Sequence, residues 1–450
     1  MKLHQFACRL PVLILLTTIL LLTGTAVPGH GYLPLQDLSL CTGSPLVSEL
    51  LTHTGEEQWA TWIRQFSGGE TIELEGKFYR ITTRFSSALF SNAPNARAYD
   101  YILQWLSFWY PEEWIEEHAF QFSGETWNNI ILTIPGSKTP EEILLATAHL
   151  DSLSPDPLHL APGAEDNASG VATLMEMARL FRHYRFARTI RLIWFTGEEQ
   201  GLIGSKAYVR DYGTSGIVGV LNFDMFGYDR DGDRCFEIHT GTQPQSRTLG
   251  TCMERIISAL NLHLETDLID GYNMTFSDHA SFWEAGVPAL EVLENHFYNA
   301  PSLGCAGTRD QNPNYHTIRD TIDTLNLPVG FDIAQAGIAA TASLAGIQTP
   351  CFTTTPEVQL QPLHGISRLT WTEMKNASQY RVLRANSGCH QTGHLISETP
   401  LLSWEDSESL LPFSGYMVEA VSSSGCVSFP SACVWNSFPF RQSHPTPTKR

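Results

Sequence analysis

The stretch that decides the fold runs from Ile143 to Gly204: ILLATAHLD at 143–151, APGAEDNASGVATLMEMARLF at 161–181 and TIRLIWFTGEEQGLIG at 189–204. Ile143–Ala148 and Thr189–Phe195 are compact apolar runs of strand length. Between them Val171, Leu174, Met175, Ala178 and Phe181 recur at helical spacing, so a helix spans Ser169 to Tyr184. Strand, helix and strand of this kind form a crossover unit with a buried, parallel pair. Outward from it, Asn129–Ile134, Val218–Phe223 and Pro288–Leu293 read as further buried strands. The pattern predicts an α/β fold with a mixed, mostly parallel sheet between helices.

In such sheets ligands bind beyond the carboxyl ends of the strands. His149, Glu198 and Asp224 each follow a predicted strand, so all three can line one crevice. A catalytic zinc takes about three protein ligands, and a two-metal site needs a bridging carboxylate. His149 is a candidate imidazole ligand. Asp151, two residues on, can orient its ring by accepting the second N–H. Asp166 precedes a small-residue turn and can bridge. Glu198 and Glu199 are adjacent with diverging side chains, so one can bind metal while the other takes a proton. Asp224 ends the next strand, and His316 supplies a last imidazole. Taken singly each has a bland reading: a surface His–Asp pair, a solvated Glu pair, or a helix start capped by Ser169 or Asn167. Their order and placement at strand ends carry the metal reading. His279 is read as structural, and His159, His183 and His296 as ordinary histidines.

The chain has 450 residues, 42% hydrophobic and 11% aromatic, enough for two or three domains with a sizeable core. Lys2, Arg9, the apolar run Leu10–Leu22 and Gly24-Thr25-Ala26 have the layout of a secretory signal over residues 1–26. The expectation is export, extracellular or periplasmic, without stable membrane insertion. Loss of Lys2 and Arg9 takes the formal charge from −19 to −21, which argues against a nucleic-acid or anionic-membrane coat. Eight cysteines follow the signal. Cys41, Cys235, Cys252 and Cys305 lie in the larger part, and Cys351, Cys389, Cys426 and Cys433 in the last hundred residues. Even numbers in an exported chain indicate disulfides, with three pairings open in each region. Asn273 and Asn376 begin glycosylation sequons; Asn167 does too, but abuts the proposed bridge.

Residues 27–90 form an N-terminal segment, a propeptide or part of the catalytic domain, with a helix over 45–66 and a hairpin from Thr71 to Thr83 around Glu75-Gly76. A helix follows at 94–109. The catalytic domain is placed at 91–348. After the Pro- and Thr-rich segment 349–356 the helical signal ends, and Ser367–Trp371, Tyr380–Leu383 and Tyr416–Val421 read as strands of a small C-terminal β-sandwich at 352–437. It resembles a fibronectin type III module, with Trp371 and Tyr380 as core aromatics, and is a candidate for binding a surface or partner. Residues 438–450 read as a tail.

Residues 95–348 resemble the secreted co-catalytic zinc aminopeptidases, a family that includes glutamate carboxypeptidase and glutaminyl cyclase. The matching phrases are HLDS at 149–152, APGAEDNASG at 161–170, FTGEEQGLIGS at 195–205, FDM at 223–225, SDHASF at 277–282, GVPAL at 286–290 and YHTIRDT at 315–321. The resemblance implies two Zn2+ per chain, one held by His149, Asp166 and Asp224, the other by Asp166, Glu199 and His316. It implies Glu198 as general base, Asp151 as partner of His149, and the Tyr315 phenol as oxyanion donor. Some relatives carry that tyrosine just before the SDH phrase, where this chain has Met274 with Tyr272 nearby. The implied activity is removal of N-terminal residues from peptides, in an apolar pocket favouring residues such as Leu. Glutaminyl-peptide cyclotransfer on the same fold is the alternative, although Asn167–Gly170 and Gly201–Ser205 look like the peptidase forms. A catalytically silent adhesion protein is a third reading, opposed by the full set of ligands and base.

Overall fold

A computed structural model of the chain describes residues 38–86, 94–271, 274–296, 305, 310–363, 366–389, 393–407 and 414–435. The expected signal, the tail, Tyr272 and the Asn273 sequon lie outside the described residues.

Eight strands form the central sheet, in the order Glu265–Asp270, Cys235–Gly241, Ala289–Glu294, Ile217–Phe223, Thr139–His149, Arg188–Phe195, Glu125–Ile134 and Ile115–Phe122. Thr139–His149 runs parallel to both of its neighbours. Ala289–Glu294 is parallel to Ile217–Phe223, and Glu265–Asp270 to Cys235–Gly241. The remaining three pairings are antiparallel, so the sheet is mixed with a parallel centre. Leu144, Ala146, Leu192, Val220 and Leu221 are fully buried. These strands are covered on both faces, which is why they read as continuous apolar runs rather than alternating ones.

Helix Gly170–Phe181 packs between strand Thr139–His149 and helix Glu56–Phe66. Almost every residue of it is buried, Glu176 included. Glu176 is satisfied by Arg179 at 2.7 Å and by the Trp62 indole N–H at 3.0 Å, as a buried carboxylate requires. The Trp59 indole donates to Thr173 at 3.1 Å. The 45–66 region is two helices, Pro45–Thr52 and Glu56–Phe66, not one. The break falls at Gly55, which adopts an extended φ of −147°; glycine inside a helix costs about 1 kcal/mol relative to alanine. Helix Leu327–Leu344 is apolar and long enough to span a membrane, but most of it is buried within the fold.

The last hundred residues form two antiparallel sheets. One contains Val358–Leu363, Ile366–Trp371 and Ser403–Asp406; the other contains His394–Thr399, Ala377–Cys389, Gly415–Ser422 and Val434–Trp435. They share a core in which Trp371 and Tyr380 meet, ring centres 5.7 Å apart. Arg182 from the larger part makes a buried bidentate pair with Glu419, at 2.6 and 3.1 Å. Phe429 stacks between His53 and His183, at 3.9 and 4.1 Å. The disulfides are Cys41–Cys252, Cys235–Cys305, Cys351–Cys426 and Cys389–Cys433. Each pairing stays within its region of the chain.

Candidate active site

His149 is the final residue of its strand, and Asp224 directly follows Ile217–Phe223. The Thr196–Glu199 turn leaves the end of Arg188–Phe195. Backbone bonds from Leu150 N to Phe195 O (2.7 Å) and from Asp224 N to Val292 O (3.0 Å) hold these ends together. Asp166 sits in a distorted helical turn, Ala164–Ser169, with non-helical angles at Asp166 and Asn167. Asn167 is fully buried. Its amide donates to Phe223 O at 2.8 Å and its Oδ1 accepts from Gly170 N at 2.9 Å. Asn167, not Ser169, therefore caps the helix, and its burial leaves no room for a glycan. A Cβ on Gly170 would stand 2.4 Å from Phe223 O, so only glycine allows the helix to start this close to the sheet.

The five proposed ligands converge. His149 Nε2 lies 3.2 Å from Asp166 Oδ1 and 3.0 Å from Asp224 Oδ1. His316 Nε2 lies 3.1 Å from Asp166 Oδ2 and 2.9 Å from Glu199 Oε2. Each oxygen of Asp166 thus faces a different imidazole, as a bridge must. Donors around a tetrahedral zinc, each at 2.0–2.1 Å from it, stand about 3.3 Å from one another. The cluster has that spacing. It is also short of positive charge: three carboxylates and Glu198 surround two imidazoles in a largely buried space, an arrangement that is costly without cations. Glu199 Oε1 is buried with no hydrogen-bond partner. The donor set fits zinc.

The electrostatics express the same deficit. Burial opposes protonation of His149, but Asp224 and Glu198 raise its pKa well above the usual range. Burial likewise opposes protonation of His316, while Asp166 and Glu199 hold it at about 10. Burial, with the charge of Asp166, pushes Glu199 up to about 8. Burial also pushes Glu198 well above the carboxylate range; His149 opposes the rise, and Asp224 and Glu199 add to it.

Asp151 differs from expectation in detail. The His149 Nδ1–H donates to the Asp151 backbone oxygen at 3.1 Å, and the carboxylate stands 3.6 Å away. That carboxylate instead accepts from Glu198 N and Glu199 N, both at 3.2 Å. The carboxylate thus holds the backbone of the two glutamates, and the Asp151 backbone oxygen holds the ring. The Tyr315 ring stacks on His316 with centres 3.7 Å apart and lines the pocket. His296, read as ordinary, also lies on the pocket wall, 3.0 Å from Glu294. His279 is fully buried, bonded to Met274 O, and outside the ligand set. His159 makes a surface pair with Asp156.

Three supporting residues escaped the sequence reading. Arg84 is fully buried and donates to Leu150 O, Phe66 O, Pro162 O and Gly163 O at 2.6–2.9 Å. It ties the His149 loop to the Asp166 loop. Burial lowers its pKa to about 10, against the pull of Asp320 and Asp166. Asp320, inside the YHTIRDT phrase, accepts from Glu165 N and Asp166 N at 3.0 and 3.1 Å. Glu291 lines the same cavity of about 570 Å³ as the metal cluster.

Residues 129–340 match the family model described as Peptidase family M28. The matched segment, a little under half of the chain, is similar to that family. A probable leucine aminopeptidase of Trichophyton verrucosum is 33% identical over 208 residues, 44% of this chain and 52% of that protein. A probable zinc metalloprotease of Pyrenophora tritici-repentis is 37% identical over 115 residues, 24% and 26% of the two chains. The chain thus spans about half the length, or less, of these curated relatives. The crystal structure of the Legionella pneumophila LapA aminopeptidase superposes with a TM-score of 0.53 at 23% identity, over 67% of this chain and 75% of that one. At that identity the likeness is one of fold.

Proposed function

We propose that the chain is an exported aminopeptidase that holds two zinc ions and removes N-terminal residues from peptides. The observation that carries this reading is Asp166, whose two oxygens face His149 and His316 separately, with Asp224 and Glu199 completing each set. When bound, the two ions lower the pKa of a shared water and polarise the scissile carbonyl. Glu198, outside the ligand set and with a raised proton affinity, takes the proton of the attacking water and returns it to the leaving amine. The Tyr315 phenol donates to the developing oxyanion. The carboxylates of Glu198 and Asp224 attract the free α-amine that an exopeptidase must hold. Asp151 and Arg84 keep these groups in register.

Four disulfides support export to an oxidising compartment. Trp59, Trp62 and Arg84 lie in the buried core, which supports residues 38–86 as a retained part of the catalytic domain rather than a removed propeptide. The two terminal sheets support a fibronectin type III-like sandwich as a separate module for a surface or partner.

Purified zinc-loaded protein incubated with Leu-p-nitroanilide and with an N-terminal glutaminyl peptide tests the reading. Release of nitroaniline is expected. Pyroglutamate formation alone would make it a cyclotransferase, and neither product would make it a binding protein.

A further inference from the structure

We propose that Glu291 selects the residue this pocket accepts, and that the preferred N-terminal side chain is long and cationic, lysine or arginine. The inference rests on the aminopeptidase reading and deepens it.

Glu291 and Leu293 are two apart on strand Ala289–Glu294, so they share a face, and both line the cavity beside the metal cluster. Met225, Leu293 and Phe276 give that cavity apolar walls suited to a methylene stem. Glu291 puts a carboxyl among them that is 3% exposed. A pocket for leucine has no use for this group, because burying a carboxylate without a partner costs several kcal/mol.

The protein side of Glu291 does not satisfy it. Its closest ion-pair distances are 3.6 Å to His279 Nδ1 and 4.0 Å to His239 Nδ1, beyond hydrogen-bond range. His279 Nε2 lies 2.7 Å from Met274 O, a carbonyl that can only accept. The ring's proton is therefore on Nε2, and its Nδ1 offers Glu291 no donor. Burial keeps that ring neutral down to about 3. Among the described residues no lysine or arginine forms an ion pair with Glu291. Burial pushes the Glu291 carboxyl well above the carboxylate range; Asp224, Glu237 and Asp278 add to the rise and His149 opposes it, so the charged form needs a cation beside it. An ammonium or guanidinium arriving through the cavity would pair with this carboxyl, whereas a leucine would dehydrate it with nothing in return.

The decisive comparison is lysine against norleucine, which share a stem and differ at the tip. We measure kcat/KM of zinc-loaded enzyme on Lys-, Arg-, norleucine- and Leu-p-nitroanilide. Removing one partner of a buried charge pair typically costs 2–5 kcal/mol, so a lysine preference of roughly 10²-fold is expected. Glu291→Gln should cut the lysine-to-norleucine ratio at least about tenfold, and Glu291→Met should invert it. Calorimetric titration of the wild-type protein with lysine amide and norleucine amide reads the same preference without turnover and without a variant. A wild-type preference for norleucine and leucine overturns the inference while the aminopeptidase reading stands. So does an equal loss on all four substrates in both variants, which would place Glu291 on the common α-amine. Release from none of the four overturns the aminopeptidase reading itself and the inference with it.

Discussion

Replacing Arg84 tests how the site is held. Its guanidinium makes four bonds of 2.6–2.9 Å to buried backbone oxygens from three separate segments. A hydrogen bond to a charged group contributes about 1.5–3 kcal/mol net, and an orphaned buried acceptor costs a comparable amount. Arg84→Met keeps most of the volume but removes every donor. At the lower end of that range the four bonds amount to about 6 kcal/mol, comparable with the whole stability of many domains. Arg84→Lys restores a charge with three donors but not the planar fork, so it should recover less than half. Urea unfolding at neutral pH gives the stability, and metal content after dialysis gives the state of the site. The expected order is wild type, then Lys, then Met, in both readouts. An Arg84→Met protein within about 1 kcal/mol of wild type with its metal intact would refute the reasoning.

The other outcomes concern separate features. Glu198→Gln should keep its metal, because Glu198 is not among the ligands, yet lose about 10²–10⁴-fold in kcat; unchanged turnover would remove it as the base. Burial lowers His279 to about 3 from 6.5, so below pH 6.5 the unfolded chain binds more protons than the folded one. The stability this gives is full above pH 6.5 and falls by about 1.4 kcal/mol per unit towards pH 3. Denaturation curves at pH 7, 6 and 5 should therefore show a shallower loss in His279→Gln than in wild type, and equal slopes would contradict the assignment. Replacing Cys351 and Cys426 by alanine opens a crosslink 75 residues long and should cost about 2–4 kcal/mol in thermal or denaturant unfolding.

The fold was legible where buried strands carry unbroken apolar runs, as in Ile143–Ala148 and Thr189–Phe195, and where Gly170–Phe181 repeats at helical spacing. The break between the first two helices was harder to see, because Trp59 and Trp62 continue the apolar face across Gly55. His149, Asp166, Glu199 and Asp224 were legible because they lie at or just after a strand end or beside a glycine-containing turn, so chain order stands in for geometry; His316 lies in a loop and was marked only by the YHTIRDT phrase. Arg84 and Glu291 were not. Arg84 acts on carbonyls from Phe66, Leu150, Pro162 and Gly163, and no local pattern marks an arginine that serves distant backbone. Glu291 sits in a short strand that is apolar apart from it and the terminal Glu294, where a carboxylate has no helical or alternating signature to mark it. Asp151 was assigned to His149 through its side chain, but in an extended segment its backbone carbonyl is the closer acceptor.

The central claim is a two-metal cluster bridged by Asp166, and the metal content of the active protein tests it most directly. Elemental analysis of wild type dialysed under conditions that preserve activity should give two zinc ions per chain. His316→Ala should retain one more firmly than the other, and Asp166→Ala should lose both. A fully active wild-type protein holding one zinc or none, or an Asp166→Ala protein that keeps two, would contradict it.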